Sequence, residues 1–178
     1  MLAALALPLT GLTSCLGDDS EDGGDYRKHN DAWYTAQTQL IGDNGSNYYT
    51  LVSADWDPNA QVLMHWFNDR NATQANLSPL YTSTVDVKYR GQLYNGTAFD
   101  SSYTRTTPAD SVYRTKLGTS VINGWTIALT HMHVGDSCRV VVPYTQGYGS
   151  YSMGTIPAYS ALQFDIKLVG VPYYETKQ

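Results

Sequence analysis

The sequence predicts an α+β domain: a twisted antiparallel β-sheet wrapped around one short α-helix, with an N-terminal helix and strand extension in front of it. Three observations carry this expectation. Residues 84–90, "TVDVKYR", alternate, with Val85, Val87 and Tyr89 on one face and Asp86, Lys88 and Arg90 on the other. A period of two is the signature of a half-buried strand. "ALQFDIKLVGV" repeats the pattern more cleanly, setting Leu162, Phe164, Ile166 and Leu168 against Gln163, Asp165 and Lys167. Between these strands one segment, about Gly124 to His131, has helical spacing and puts Trp125, Ala128, Leu129 and Met132 on one side. A sheet with one apolar face needs a cover, and this helix is the candidate inside the segment.

The remaining elements follow from local signals. "YRKHNDAWYTAQTQLI", residues 26–41, has a rough helical spacing that "GDNGSN" then interrupts. "YYTLVSADW" and "QVLMHWF" read as strands separated by Asp57-Pro58-Asn59, and "NDRNATQANLSPL" reads as a polar loop. "LYNGTAF" carries Asn95-Gly96 between apolar residues, a hairpin signal suited to a type I′ turn. "SCRVVVP" is a further strand. Its Cys138 is most simply a small sheet or core residue, not a catalytic thiol.

Charge is unevenly placed. Asp18, Asp19, Glu21, Asp22 and Asp25 lie in a stretch without Lys or Arg, and they account for the whole formal net charge of −5. From Tyr26 onward acids and bases balance, so the folded part has no basic footprint for nucleic acid. The apolar run "LAALALPLTGL" is too short for a bilayer, which needs about 20 residues, but suits a signal-peptide core. It ends in "LTSC", which resembles the bacterial lipoprotein processing box, although no basic segment precedes it. Cys15 is therefore the expected lipidation site. A disulfide with Cys138 is the arithmetic alternative. "LGDDSEDGGDY" reads as a flexible tether. The expected organisation is a leader over 1–14, the acidic tether over 15–25, an extension over 26–77, the main domain over 78–172 and a tail over 173–178.

Taken together, "VKYRGQLYNGTAFDSS", "VINGW", "VGD", "VPYTQGYG" and "IPAYSALQFDIKLVGV" occur in the order found in the FKBP-type peptidyl-prolyl isomerases. The resemblance covers roughly Pro79 to Val171. It implies a sheet wrapped around a short helix and a pocket for the proline of a polypeptide. It assigns Tyr89, Asp100, Trp125 and Tyr148 to the catalytic centre. It assigns Phe99, Arg105, Val121, Ile122, Ile156 and Phe164 to the walls and their support. In this assignment Trp125 is the pocket floor, the Tyr148 hydroxyl and the Ile122 N–H hold substrate carbonyls, and Arg105 braces Asp100. The chain departs from the family in the long stretch "YTRTTPADSVYRTKLG". There Ala109 follows the proline where an aromatic is common, and Tyr113 can stand in. "GSYSMGT" lacks the occasional His, and Asn123 and Thr126 replace frequent charged residues beside the tryptophan.

The implied chemistry is rotation about an X-Pro amide. Resonance gives that bond its barrier, and the twisted transition state has lost both the resonance and part of the carbonyl polarity. Apolar walls and a few oriented polar groups suffice. The resemblance calls for no cofactor and no metal. His131 and His133 alone make a weak metal signal. Expected partners are proline-containing polypeptides, macrolide inhibitors, and a membrane reached through a lipid anchor, with no nucleic acid. Leu16 after Cys15 resembles outer-membrane sorting, and the acidic run resembles surface-export signals of Bacteroidetes lipoproteins. The expected place is the cell envelope, on its periplasmic or surface face. A non-catalytic proline-binding module or chaperone, and a structural envelope lipoprotein, are the rival readings.

Overall fold

The computed structural model describes residues 23–173. Cys15, the leader and most of the tether lie outside the described residues, as does the tail from 174 onward. Helix α1 spans Gly23–Thr38. Strands β1 (Thr50–Ala54) and β2 (Asp57–Trp66) follow, then β3 (Thr84–Leu93), β4 (Ala98–Ser101) and β5 (Tyr113–Lys116). Helix α2 is Asn123–Thr130, and β6 (Ser137–Val142) and β7 (Leu162–Gly170) complete the sheet. The seven strands form one antiparallel sheet in the order β1-β2-β6-β7-β3-β4, with β5 added to the start of β3. The α+β expectation holds.

The alternation in β3 and β7 does what its period demands. The strands pair side by side, Tyr89 opposite Ile166 and Gly91 opposite Phe164, so both apolar faces look the same way. Val85, Val87, Tyr89, Phe164, Ile166 and Leu168 join Val62, Met64, Val140 and Val142 in the main core. Helix α2 fills the concave side with Trp125, Ile127, Ala128 and Leu129. Ile122 is its N-cap residue and has no side-chain oxygen, so no side chain caps the first turn. Burial of this helix, not propensity or capping, stabilises eight residues that would be marginal alone. The opposite face of the sheet has its own smaller cluster, Tyr49, Leu63 and Val141, covered by Trp33 and Tyr34 of α1.

Four local expectations are corrected. Asp57-Pro58-Asn59 does not separate two strands but begins β2, and the chain reverses at Asp55-Trp56 instead. Pro58 is tolerated because it stands near the strand start, on the hairpin end where β6 does not yet pair. The β3–β4 turn is not type I′. Only Gly96 has positive φ, at 84°, and Leu93 O accepts from Gly96 N while Leu93 N donates to Thr97 O. That is a three-residue loop with a left-handed glycine, further tied by Thr97 N donating to Asn95 Oδ1. Helix α1 begins and ends about three residues earlier than the spacing suggests, because Gly42 and Ser46 close a turn after it. Strand β5 lies within a stretch that gave no strand signal.

Cys138 is fully buried in the core, and burial pushes its thiol far above the usual range, as expected of a packing residue. His131 Nδ1 lies 2.8 Å from Ile127 O, and His133 Nδ1 lies 3.1 Å from Arg70, so each ring has a protein partner. Asp136 closes the turn into β6. It accepts from Thr73, Asn68 and His133 N, and its ion pair with Arg70 spans 3.4 Å. Among the described residues no helix is long and apolar enough to cross a membrane.

Candidate active site

The concave face opens at the first turn of α2 into a cavity of about 100 Å³. For scale, an engineered apolar cavity of about 150 Å³ accepts benzene, so this one suits a five-membered ring. Trp125 is its floor, only 4% exposed. Four aromatic rings stand around it. Tyr89 meets it edge-on at 4.8 Å, Phe164 at 5.3 Å and Tyr113 at 6.5 Å, while Phe99 meets Phe164 at 5.6 Å. Edge-to-face contacts of this kind hold ring orientation as well as exclude water. Val121, Ile122 and Ser120 supply the wall before α2.

The polar groups lie at the rim. Tyr89 donates to Asp100 Oδ2 at 2.5 Å, and Ser101 N donates to Oδ1 at 2.7 Å, which fixes both oxygens of an otherwise exposed carboxylate. Burial, then Asp100, push the Tyr89 phenol well above its ordinary 10.0, against the opposing pull of Arg105. Burial, and next Asp100 and Tyr113, raise the Tyr148 phenol as well, so it remains a neutral donor. The Ile122 N–H meets no acceptor among the described residues.

Backbone geometry explains the closeness of the walls. A Cβ on Gly91 would stand 2.7 Å from the Phe99 ring and 2.9 Å from Phe164, so only glycine lets those two rings meet over β3. Tyr148 is carried by a loop whose start is fixed by Gly149 N donating to Tyr144 O and by Asn123 Nδ2 donating to Gln146 Oε1 at 2.5 Å.

Of the residues assigned from sequence, Tyr89, Phe99, Asp100, Val121, Ile122, Trp125, Tyr148 and Phe164 line one cavity. Ile156 does not; it is buried in the adjoining core and bridges to Met153. The expected Arg105–Asp100 brace is not formed as an ion pair. The guanidinium lies over the Tyr113 ring, 4.5 Å from its centroid. Ser120 lines the cavity and Asn123 holds Gln146 beside it, and the resemblance assigns neither. Asn123 carried one available signal, a polar side chain beside the tryptophan where the resembling family has charge.

Comparison with known proteins agrees with this geometry. Residues 78–169 match the family model described as FKBP-type peptidyl-prolyl cis-trans isomerase. The macrophage infectivity potentiator of Trypanosoma cruzi is 40% identical over 53% of this chain and 46% of its own length. The FKBP-type 22 kDa peptidyl-prolyl cis-trans isomerase of Escherichia coli is 38% identical over 52% of this chain and 43% of its own. These matches take in about half of each relative's length. Among solved structures, a peptidyl-prolyl cis-trans isomerase from Pseudomonas syringae superposes with a TM-score of 0.65 at 26% identity, covering 87% of this chain and 98% of that one. FkpA from Escherichia coli gives 0.64 at 25% identity, covering 83% and 62%. With its matched segment spanning just over half its length, the chain belongs to the FKBP-type peptidyl-prolyl cis-trans isomerase family.

Proposed function

We propose that the protein accelerates cis-trans rotation of X-Pro bonds in exported polypeptides. One observation carries this: a tryptophan-floored, aromatic-walled cavity with the Tyr89–Asp100 pair and Tyr148 along its lining. Amide resonance sets a barrier of about 18–20 kcal/mol to the rotation. The planar ground state has a polar carbonyl, and the twisted transition state a less polar one. A dry aromatic cavity favours the second relative to the first, which is differential binding of the transition state. The proline ring would rest on Trp125 between Tyr89, Phe99 and Phe164. The Tyr148 hydroxyl and the Ile122 N–H would each donate to a substrate carbonyl. Asp100, held by Tyr89 and Ser101, would present its carboxylate beside the rotating bond. Arg105 would act through Tyr89 and Tyr113, and Ile156 as packing behind the wall. No covalent step is involved. Macrolide inhibitors with a proline-like ring would compete for the same floor.

The "LTSC" box and the acidic stretch after it support lipid anchorage at Cys15 and a place in the cell envelope, at the outer membrane. Mass spectrometry of membrane-extracted protein tests this: an unmodified Cys15 would contradict it.

A second reading, a non-catalytic proline-binding module or chaperone, is favoured by exposed Tyr103, Tyr151 and Met153 on the two loops that flank the cavity. The two readings part in one assay. Proline-peptide isomerisation by the full chain, beside Trp125→Ala checked for folding by circular dichroism, should show turnover that the variant loses. A wild type without turnover that still suppresses aggregation of an unfolded client would select the second reading.

A further inference from the structure

The polar end of α1 makes no contribution to covering the sheet; Trp33 and Tyr34, further along, do that. Its contacts go elsewhere. Asn30 is fully buried, and its Oδ1 accepts from Ala161 N at 2.9 Å while its Nδ2 donates to Tyr26 O at 2.9 Å. Arg27 donates to the Tyr144 hydroxyl at 2.8 Å, and its guanidinium stands 5.2 Å from the Tyr144 ring and 4.8 Å from the Tyr159 ring. Ser160 Oγ already donates to Pro157 O, so the Tyr26 hydroxyl is the donor in its 2.9 Å bond to Ser160. All three side chains therefore hold the two ends of segment 144–161.

That segment is the loop that carries Tyr148 and Ile156. Its ends are cross-tied where α1 grips them: Tyr144 and Tyr159 pack edge-on at 5.4 Å, Gly149 N donates to Tyr144 O, and Tyr159 N donates to Gly149 O. Tyr148 sits directly before that shared glycine. Tyr26 also meets Tyr94 edge-on at 5.6 Å. Tyr94 is in the turn between β3 and β4, which leads into Phe99 and Asp100. Tyr26, Arg27 and Asn30 thus touch both segments that lead into cavity-lining residues, Tyr94 before Phe99 and the 144–161 loop around Tyr148, while none of the three lines the cavity itself.

We propose that α1 is a positioning element for the cavity, with Tyr26, Arg27 and Asn30 fixing the 144–161 loop so that the Tyr148 hydroxyl is held ready at the rim. This rests on the isomerase reading above. It gives α1 a role beyond covering Tyr49, Leu63 and Val141, because the side chains that line the cavity all come from other elements. Loss of the brace should loosen the loop and weaken substrate capture while leaving the floor intact.

The test uses full-length protein with Asn30→Ala, Arg27→Ala and Tyr26→Phe, and Lys28→Ala as a control on the same helix, since among the described residues Lys28 pairs only with Asp25. Amide hydrogen exchange is read by segment, and KM and kcat are read with a proline tetrapeptide. Exchange in 144–161 should quicken about tenfold, the scale of one lost buried hydrogen bond, with β6 and β7 unchanged. KM should rise several-fold with kcat within about twofold, and Lys28→Ala should match wild type. Should Asn30→Ala fail to fold, the two more peripheral variants carry the test. Folded variants with wild-type loop exchange and wild-type KM would overturn the proposal. A wild type that binds the tetrapeptide but does not turn it over contradicts the isomerase reading, and loop exchange and peptide affinity then decide the brace alone. A wild type that does neither overturns both.

Discussion

The Tyr89 phenol donates to the Asp100 carboxylate at 2.5 Å, joining the middle of β3 to the end of β4 at the rim of the cavity. The same tyrosine ring is a wall against Trp125. One residue thereby sets both an apolar surface and the position of a charge. The bond is charge-assisted, so Tyr89 cannot give up its proton in the ordinary pH range, and Asp100 cannot swing into solvent without leaving a buried phenol unpaired.

Tyr89→Phe isolates the polar half of this arrangement. The ring keeps its contact with Trp125 while Asp100 loses its tether. A hydrogen bond to a charged group contributes about 1.5–3 kcal/mol, with the lower end expected at this partly solvated site. The expected outcome is a stability loss of about 1.5 kcal/mol in urea unfolding and a kcat/KM reduced roughly tenfold. Unchanged kcat/KM would show that the placement of Asp100 has no bearing on turnover.

Gly91→Ala tests the closeness of the walls. The added Cβ would fall 2.7 Å from Phe99 and 2.9 Å from Phe164, inside any normal contact. Overpacking of this kind costs about 1–3 kcal/mol. Phe99 is the freer of the two rings, being only partly buried, and should be the one displaced. A drop in thermal midpoint accompanied by weaker peptide binding is expected; full-strength binding in the variant would mean that Phe99 is not a wall that matters.

Acid sensitivity should centre on Asp136. Burial alone would raise its carboxyl, but hydrogen bonds from His133 N, Thr73 and Asn68, together with the Arg70 charge, outweigh it and hold the group below its ordinary 3.8. A depressed folded value means the stabilisation is fully present above that ordinary value and is lost as pH falls through the folded one. Asp136→Asn should therefore flatten the fall in stability below about pH 4 and lower stability at pH 7. An identical acid limb in the variant would assign acid unfolding to other groups.

Much of this molecule was legible in its sequence where patterns are local. The alternations of β3 and β7 and the apolar side of α2 follow from periods of 2 and 3.6, and most of the cavity residues are those the family resemblance implies. What escaped depends on contacts between distant segments. Strand β5 exists because Tyr113–Lys116 lie against Val87–Thr84, a pairing with no trace in the mixed residues of β5 itself. Pro58 looked like a break because a proline ends most strands, but its place at the hairpin end removes the conflict. The family resemblance pairs Arg105 with Asp100, whereas in space its guanidinium lies over the Tyr113 ring. The docking of α1 was hidden because it is made by Tyr26, Arg27 and Asn30, polar side chains that leave no apolar stripe.

The central claim is that the aromatic cavity and its rim donor together catalyse X-Pro rotation. Isomerisation of a proline tetrapeptide by the full chain, with Tyr148→Phe alongside, tests it most directly, because that substitution removes one hydroxyl and leaves the wall. The account predicts a wild-type rate well above the uncatalysed one, and a kcat/KM about five- to tenfold lower in the variant, the scale of one hydrogen bond. A wild type no faster than the uncatalysed reaction, or a Tyr148→Phe variant equal to it, would contradict the account.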